Sequence, residues 1–207
     1  MNQYSEPKLE YNSVYHIFNC GIAGCNIFVD DEDYDRFLSK FAKYIESIAD
    51  TYAWSLLGNH FHVVVRIKKE SELKTLEELG LYEEKTNLRT PEKKPDPTKQ
   101  FSHLFNSYAQ YFNYKYKRHG TLFERPFKRK LIDNRAYFKR CLIYVHQNPV
   151  KHGFVERLSD YRYTSFNTIL SEKATLLKRV KVLSMFENQA DFVITHAKLI
   201  ELDETFD

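Results

Sequence analysis

The chain has 207 residues, of which 43% are hydrophobic, 15% aromatic and 29% charged. This content is too apolar for a disordered chain, and no apolar run approaches the roughly eighteen residues that a membrane-spanning helix needs. The three cysteines are an odd number, and the polar segment 2–10 lacks the pattern of a signal peptide. We therefore expect a soluble globular protein with free thiols in the cytoplasm, built as one domain or one domain with a small addition.

The net charge of +3 is an average over segments of opposite sign. Between positions 99 and 162, fourteen Lys and Arg stand against four Asp and Glu, a local balance of +10, whereas the last twenty-one residues are acidic. Tyrosines and phenylalanines lie between many of these cations, and cations with flat rings suit the phosphates and bases of a nucleic acid. The middle of the chain thus favours nucleic-acid binding, although a solvated surface over core aromatics would show the same pattern.

The periodicity predicts alternating elements in the first two thirds of the chain. The expected strands are 13–20, 52–57, 60–68 and 127–132, and the expected helices follow the acidic run 30–33 and span 98–118. Gly58 and Asn59 form a two-residue turn between the second and third strands. This β-α-β-β-α-β order predicts an α+β, ferredoxin-like antiparallel sheet with two helices on one face and the other face available.

Three further segments complete the predicted organisation. A helix capped by Asp133 or Asn134 is expected to run through Asn148 and to stop at Pro149. The charged segment 69–97, with three prolines at its end, is interpreted as a mobile insertion that has a weak helical stretch around 73–79. We therefore expect one domain over 1–166 and a helical, acidic, non-catalytic C-terminal extension over 167–207.

Two histidines stand two positions apart on the third strand. Side chains alternate along a strand, so His60 and His62 share one face while Phe61 and Val63 share the other, which is the expected core face. Two imidazoles at this spacing, about 7 Å apart at Cα, can reach one cation. Exposed or merely hydrogen-bonded histidines would show the same spacing.

The predicted helix after Asn134 carries a phenol and an amide one turn apart. Tyr144 and Asn148 project together, and the Asn148 amide oxygen could serve as a ligand beside the two imidazoles. A core tyrosine followed by a helix-stopping asparagine explains the same pattern. Tyr137, seven residues earlier on the same face, is a rival nucleophile.

These motifs resemble a known family. Segment 57–65, LGNHFHVVV, resembles the His-hydrophobic-His strand of the HUH single-strand transposases. Segments 120–128, GTLFERPFK, and 144–150, YVHQNPV, are similar to the REP-associated tyrosine transposases, relatives of the insertion sequence 200-like enzymes. The opening motif at 15–21, YHIFNCG, is also similar, with Cys20 where the family is expected to have arginine. The likeness covers roughly residues 11–166.

The resemblance implies a metal-dependent endonuclease and strand transferase that acts on single-stranded DNA containing a hairpin. It implies that Tyr144 is the nucleophile, forming a 5′-phosphotyrosine, and that His60, His62 and Asn148 bind Mg²⁺ or Mn²⁺. The resemblance is compatible with a homodimer and implies no interaction with a membrane. Asparagine rather than glutamine four residues after the tyrosine is similar to the host-retained, not the mobile, members.

Contacts to the hairpin phosphates are assigned to a set of cations in the basic middle: Lys115, Lys117, Arg118, Arg125, Lys128 and Arg129. His16, on the first strand, is interpreted as a support of the sheet rather than a neighbour of the metal. Two rival functions remain. One is a catalytically idle module that binds hairpin DNA or RNA, and the other is a metal-dependent hydrolase in which the histidines activate water.

Overall fold

The computed structural model describes residues 7–80 and 92–198. The strands are β1 (Val14–Cys20), β2 (Ala49–Leu57), β3 (His60–Ile67) and β4 (Lys128–Ile132). The helices are α1 (Asp31–Ile45), α2 (Pro97–Lys115), α3 (Arg135–Lys151), α4 (Phe166–Leu170), α5 (Arg179–Leu183) and α6 (Gln189–Ala197). None of the helices in these two ranges is long and apolar enough to cross a lipid bilayer.

The four strands form one antiparallel sheet in the order β2-β3-β1-β4. This order follows from the predicted β-α-β-β-α-β connectivity, so the ferredoxin-like fold is confirmed. The Gly58–Asn59 turn joins β2 to β3, and the register sets Phe18 opposite His62 and Cys20 opposite His60. Residues paired across antiparallel strands share a face, so these four side chains point to the same side of the sheet.

The helices α1 and α2 cover one face of the sheet with an aromatic core. Asp30 caps α1, its side chain accepting a hydrogen bond from the Asp33 backbone N–H, so the helix begins within the acidic run and not after it as predicted. Phe61 of β3 packs against Phe37 of α1 and Phe105 of α2. All three rings are buried, so this face supplies apolar stabilisation.

The other face is not left available, as the sequence predicted, because α3 and the C-terminal segments cover much of it. Val64 and Ala53 of the sheet share a second core with Leu142 of α3 and with Leu177 and Phe192 of the extension. Leu177 also forms a bridge with Thr51 at the edge of β2. Residues on both sides of position 166 therefore build the layer that holds α3 against the sheet.

Helix α3 does not stop before Pro149 as expected. Asn134 caps its start by accepting a hydrogen bond from the Tyr137 N–H, and the helix continues through Pro149 to Lys151. Proline removes one backbone donor, but near a helix end the following turn still closes through the His152 N–H to the Asn148 carbonyl. The extra turn brings His152 onto the same side of the helix as Tyr144 and Asn148.

The segment 69–97 is only partly described. Residues 73–75 have no regular secondary structure and residues 76–79 form turns, instead of the weak helix that the sequence predicted. Leu73 and Leu76 are buried, and the Leu76 N–H donates to the Lys93 carbonyl, which joins the two described arms of the segment. Residues 81–91, like the final acidic stretch from 199 onward, lie outside the described residues.

Candidate functional site

The hairpin β2-β3 places the two motif histidines on the face that α3 covers. His62 is 2% exposed, and its cross-strand neighbours are Phe18 on β1 and Ser55 on β2. His60 is partly exposed at the start of β3, beside the turn. Their ring centroids are 5.3 Å apart at an interplanar angle of 87°. The predicted alternation of His60 and His62 with the apolar core residues is therefore what the structure shows.

His62 is held through one of its two ring nitrogens. Its Nδ1 lies 2.9 Å from Nε2 of His16, which is itself fully buried. Its Nε2 is buried and has no hydrogen-bond partner among residues 7–80 and 92–198. Burial, with smaller contributions from His16, His60 and His152, lowers the pKa of His62 well below its usual value, so the imidazole is neutral at pH 7.

His16 is not only a support of the sheet. Its ring also lies 5.9 Å, centroid to centroid, from that of Tyr144, in an edge-on arrangement. The sequence interpretation, which favoured a position away from the proposed metal ligands, is therefore corrected. The hydrogen bond spans 46 positions and depends on the β1-β3 register, so spacing along the chain could not reveal it.

His60 is oriented by the turn that precedes it. Its Nδ1 lies 2.7 Å from the Oδ1 of Asn59, and its ring centroid is 4.8 Å from that of His152. The two motif histidines, His152 and Lys128 line a pocket of about 290 Å³, together with Phe18, Asn19, Cys20, Asn59 and Phe61. Cys20, at the position where the family is expected to have arginine, thus borders this pocket, and burial and then Glu124 raise the pKa of its thiol to about 11.

One side of α3 faces the histidines. The ring of Tyr144 lies edge-on to that of His62, with centroids 5.5 Å apart, and His152, two turns later, contacts His60. Asn148 lies one turn after Tyr144 and one turn before His152, so helical spacing places it on the same side of α3. The structure thus brings together the strand and helix residues that the sequence singled out.

Asn148 is fully buried and uses only part of its hydrogen-bonding capacity. Its Nδ2 donates to the Tyr144 carbonyl at 3.1 Å. Its Oδ1 is buried and accepts no hydrogen bond from the described part of the chain. A buried amide oxygen without a donor is costly unless a ligand or water satisfies it, which marks Asn148 as a candidate binding residue.

Tyr144 is 3% exposed, and the Lys151 ammonium lies 4.9 Å from its ring centroid. Tyr137, the rival nucleophile, lies about two turns earlier on α3 beside Cys141. Burial, followed by the neighbouring Cys141, raises the pKa of Tyr137 to about 12. Tyr144, in contrast, contacts the motif histidine His62 and its neighbour His16.

The six cations assigned to DNA lie in different places. Lys128 borders the histidine pocket, with its ammonium 5.8 Å from the Phe18 ring centroid, and Lys130 approaches the same ring at the same distance. Arg125 and Arg129 line a second pocket of about 490 Å³ next to α2, where the Arg129 guanidinium lies 4.0 Å from the Phe127 ring centroid.

The other three cations lie near the end of α2. Lys115 is bound by carboxylates of the α1 N-terminus, at 2.7 Å from Asp30, 3.1 Å from Glu32 and 3.0 Å from Asp33. Its charge is already balanced within the protein. Lys117 is exposed just beyond the helix, and the Arg118 guanidinium lies 5.7 Å from the Phe112 ring centroid.

Sequence reasoning missed His152 at the pocket and Lys151 over the Tyr144 ring. The spacing from Tyr144 to His152 would have revealed His152 had the helix not been expected to end at Pro149. No group of three or more His, Cys, Asp or Glu residues in 7–80 and 92–198 is arranged to hold a metal ion. A metal site here would therefore need the Asn148 amide in addition to the histidines.

The comparisons with known proteins agree with the motifs. No protein-family model matches the chain. A Haemophilus influenzae protein described as a putative REP-associated tyrosine transposase is 28% identical over 118 residues, which is 57% of this chain and 59% of that protein. The matched segment thus spans less than two thirds of the relative.

A solved structure of a REP-associated tyrosine transposase bound to a REP hairpin has the same fold, with a TM-score of 0.58. The two are 16% identical, and the superposition covers 83% of this chain and 87% of that one. Sequence and fold together confirm that this chain resembles the REP-associated tyrosine transposases.

Proposed function

We propose that this protein is a metal-dependent single-stranded DNA endonuclease and strand transferase that acts at hairpin DNA through a 5′-phosphotyrosine on Tyr144. The observation that carries the proposal is the meeting of α3 with β3, where Tyr144 contacts His62, His152 contacts His60, and Asn148 lies between the two on the same side of the helix. The resemblance to a hairpin-bound transposase supports the choice of substrate.

The residues at this site fit a divalent cation, Mg²⁺ or Mn²⁺. His62 Nε2 and Asn148 Oδ1 are buried without partners among the described residues, and the Nδ1 atoms of His60 and His62 are both engaged by neighbours. Such outer hydrogen bonds are typical of histidines that bind metals through the other nitrogen. All three ligands are neutral, so they would leave the charge of a bound cation available to a phosphate. When bound, the cation would polarise the phosphodiester and stabilise its developing negative charge.

The chain's own residues would carry out the transfer. The Tyr144 oxygen attacks the phosphorus and its proton passes to solvent. A bond forms between this oxygen and the 5′ phosphate while the bond from phosphorus to the 3′ oxygen breaks, and the departing 3′ oxygen takes up a proton from solvent. A second 3′ hydroxyl can reverse these steps, releasing Tyr144 and joining two strands without ATP. Lys128 at the pocket and Lys151 over the Tyr144 ring are placed to attract the phosphate. Because Tyr144 is 3% exposed, its side chain must turn toward the pocket for the attack.

The test uses a labelled hairpin oligonucleotide with Mg²⁺ or Mn²⁺, and the matched variants Tyr144→Phe and Tyr137→Phe. The expected result is a covalent protein–DNA adduct on a denaturing gel for the wild type and for Tyr137→Phe, and its loss in Tyr144→Phe. Loss of the adduct in Tyr137→Phe alone would move the nucleophile to Tyr137. Cleavage without an adduct that persists in Tyr144→Phe would instead indicate the hydrolase.

A second candidate function is a catalytically idle module that binds hairpin DNA or RNA. The burial of Tyr144 favours it, because a buried phenol stabilises the fold without chemistry. This module would bind the hairpin equally in wild type and in Tyr144→Phe and would form no adduct in either.

A further inference from the structure

We infer that His16 is a positioning residue that accepts a hydrogen bond from Nδ1 of His62, which orients the His62 ring and leaves its Nε2 as the nitrogen available to a metal ion. This inference rests on the proposed function, since it concerns the metal site of that function. It assigns a role to a residue on β1, which contributes none of the proposed ligands.

The geometry starts from the sheet register. His16 is opposite Val64 and His62 is opposite Phe18, so the two histidines are diagonal neighbours on the same face of paired strands. Their ring centroids are 5.1 Å apart, the planes differ by 19°, and His16 Nε2 lies 2.9 Å from His62 Nδ1. Both rings are at most 2% exposed, so this bond is shielded from bulk water.

The hydrogen bond can be made in two ways, because only one of the two nitrogens can carry the proton. If His16 Nε2 donates, neutral His62 has its own proton on Nε2, and that nitrogen has no lone pair for a cation. If His62 Nδ1 donates, its Nε2 is a lone-pair donor and His16 has its proton on Nδ1. Only the second arrangement is compatible with a metal ion on His62.

The same bond fixes the ring. A histidine that binds through Nε2 is usually held by a hydrogen bond from its Nδ1 to an outer acceptor, and loss of the acceptor weakens metal binding by about 10-fold to 100-fold. His60 has such an acceptor in the Asn59 amide oxygen, 2.7 Å from its Nδ1. His16 fills the corresponding place for His62.

The first test measures Mn²⁺ binding by the whole protein without DNA, by titration calorimetry or by the spin-resonance signal of free Mn²⁺. His16→Phe cannot accept the hydrogen bond, and we expect its Mn²⁺ affinity to fall about 10-fold to 100-fold. His16→Gln retains an acceptor on a side chain of similar reach and should stay within a few-fold of wild type. Ile17→Val, on the same strand but in the opposite core, controls for weakened packing and should leave the affinity unchanged.

The second test is independent of whether His16→Phe folds. Nitrogen-15 NMR of the wild-type imidazoles with Mg²⁺ bound should show His62 protonated on Nδ1 and His16 protonated on Nδ1. A proton on Nε2 of His62 in the Mg²⁺ complex, or equal Mn²⁺ affinity in wild type and His16→Phe, would overturn the role of His16 and leave the proposed nuclease intact. If wild type and His60→Ala are alike in binding no Mn²⁺, the metal-dependent function fails and this inference fails with it.

Discussion

The two faces of the sheet are built from the same strands but differ in polarity: one buries an apolar core, and the other also buries polar side chains. On the face toward α1 and α2, Ile17, Phe61 and Val63 pack against aromatic rings in an apolar core. On the face toward α3, His16 and His62 replace such residues, and Ser55 Oγ and His62 Nε2 are buried without partners in the described ranges. Because burying an unpaired polar group costs free energy, the second face gives up stability where the first supplies it. Polar residues retained on the less stable face are the ones to examine for function.

The largest expected effect is a difference in unfolding free energy between variants of two adjacent residues on β3, Phe61 and His62. Phe61→Ala should lower the free energy of unfolding by about 3–5 kcal/mol, because it empties a site surrounded by Phe37, Phe105 and Phe123. His62→Ala should cost less, about 1–3 kcal/mol, because the loss of its hydrogen bond to the buried His16 is partly offset by removal of one unpaired polar atom. Urea denaturation of both variants measures the difference. Equal losses would mean that the two faces contribute alike to stability.

The pattern of alternation explains why the fold could be predicted from the sequence. The strands and helices follow from period-2 and period-3.6 spacing and from local signals such as the Gly58–Asn59 turn. Contacts between segments far apart in the sequence were harder to predict. The His16–His62 bond depends on strand register, and the neutralisation of Lys115 depends on the packing of α2 against α1. The predicted helix end at Pro149 was wrong for a local reason. A proline near the end of a helix removes one backbone hydrogen bond, and the next turn can still form.

The site itself was predicted in part. The spacing of His60 with His62 and of Tyr144 with Asn148 placed each pair on its own element, but only the family resemblance joined the two pairs. The apolar residues of the extension predicted a helix or two that pack on the domain, but the sequence did not indicate which face of the sheet they cover. The covering of the second face follows from Leu177, Phe186 and Phe192, whose partners lie more than a hundred positions earlier on β2 as well as nearby on α3.

A chain of hydrogen bonds on the second face predicts a pH dependence. His196 Nδ1 lies 2.7 Å from the Phe192 carbonyl, which can only accept, so His196 Nε2 must accept from His146 Nδ1 at 2.9 Å. His146 Nε2 then accepts from Ser165 Oγ at 2.7 Å. This order requires both imidazoles to be neutral. Burial lowers the pKa of His146 well below its usual value and lowers that of His196 to about 4, against the effect of its bond to Phe192.

Because these folded pKa values are lowered, the unfolded chain binds more protons below about pH 6.5 and stability falls as the pH falls toward 4. For His196 alone, the loss between pH 7 and pH 5 is about 2 kcal/mol. His196→Gln should reduce the measured loss by this amount, as followed by urea denaturation at both pH values. His103→Gln, at an exposed position of α2, serves as the control and should keep the wild-type loss. If His196→Gln loses as much unfolding free energy between pH 7 and pH 5 as the wild type, the His146–His196 pair does not couple stability to pH.

A smaller effect tests how α3 is held in place. The strand histidines are fixed by the backbone ladder, whereas α3 depends on side chains, among them Gln147, whose Nε2 donates to the His196 carbonyl at 2.8 Å and to the Lys198 carbonyl at 2.7 Å. Gln147→Ala should lower the free energy of unfolding by about 1–2 kcal/mol, because it leaves two acceptors without this donor. It should also speed amide exchange in α6. Gln189→Ala, at an exposed position in the first turn of α6, should change neither; similar losses in both variants would argue against a tether at Gln147.

The smallest expected effect compares one cation from each side of the sheet. Lys128 borders the histidine pocket, while Lys115 is bound by three carboxylates of α1. Each phosphate contact to a single strand contributes about 0.7 to the slope of log affinity against log salt. Lys128→Met should therefore reduce this slope by about 0.7 and weaken binding of a hairpin oligonucleotide with a single-stranded flank a few-fold, as measured by fluorescence anisotropy.

Lys115→Met retains most of the side-chain stem and should leave both the slope and the affinity unchanged, because its charge is already balanced inside the protein. A reduced slope in Lys115→Met instead would mean that DNA competes with Asp30, Glu32 and Asp33 for this ammonium. The nucleic-acid surface would then extend across the helical layer formed by α1 and α2. The difference between a stabilising face and a functional face would then apply to the buried core but not to the charged surface.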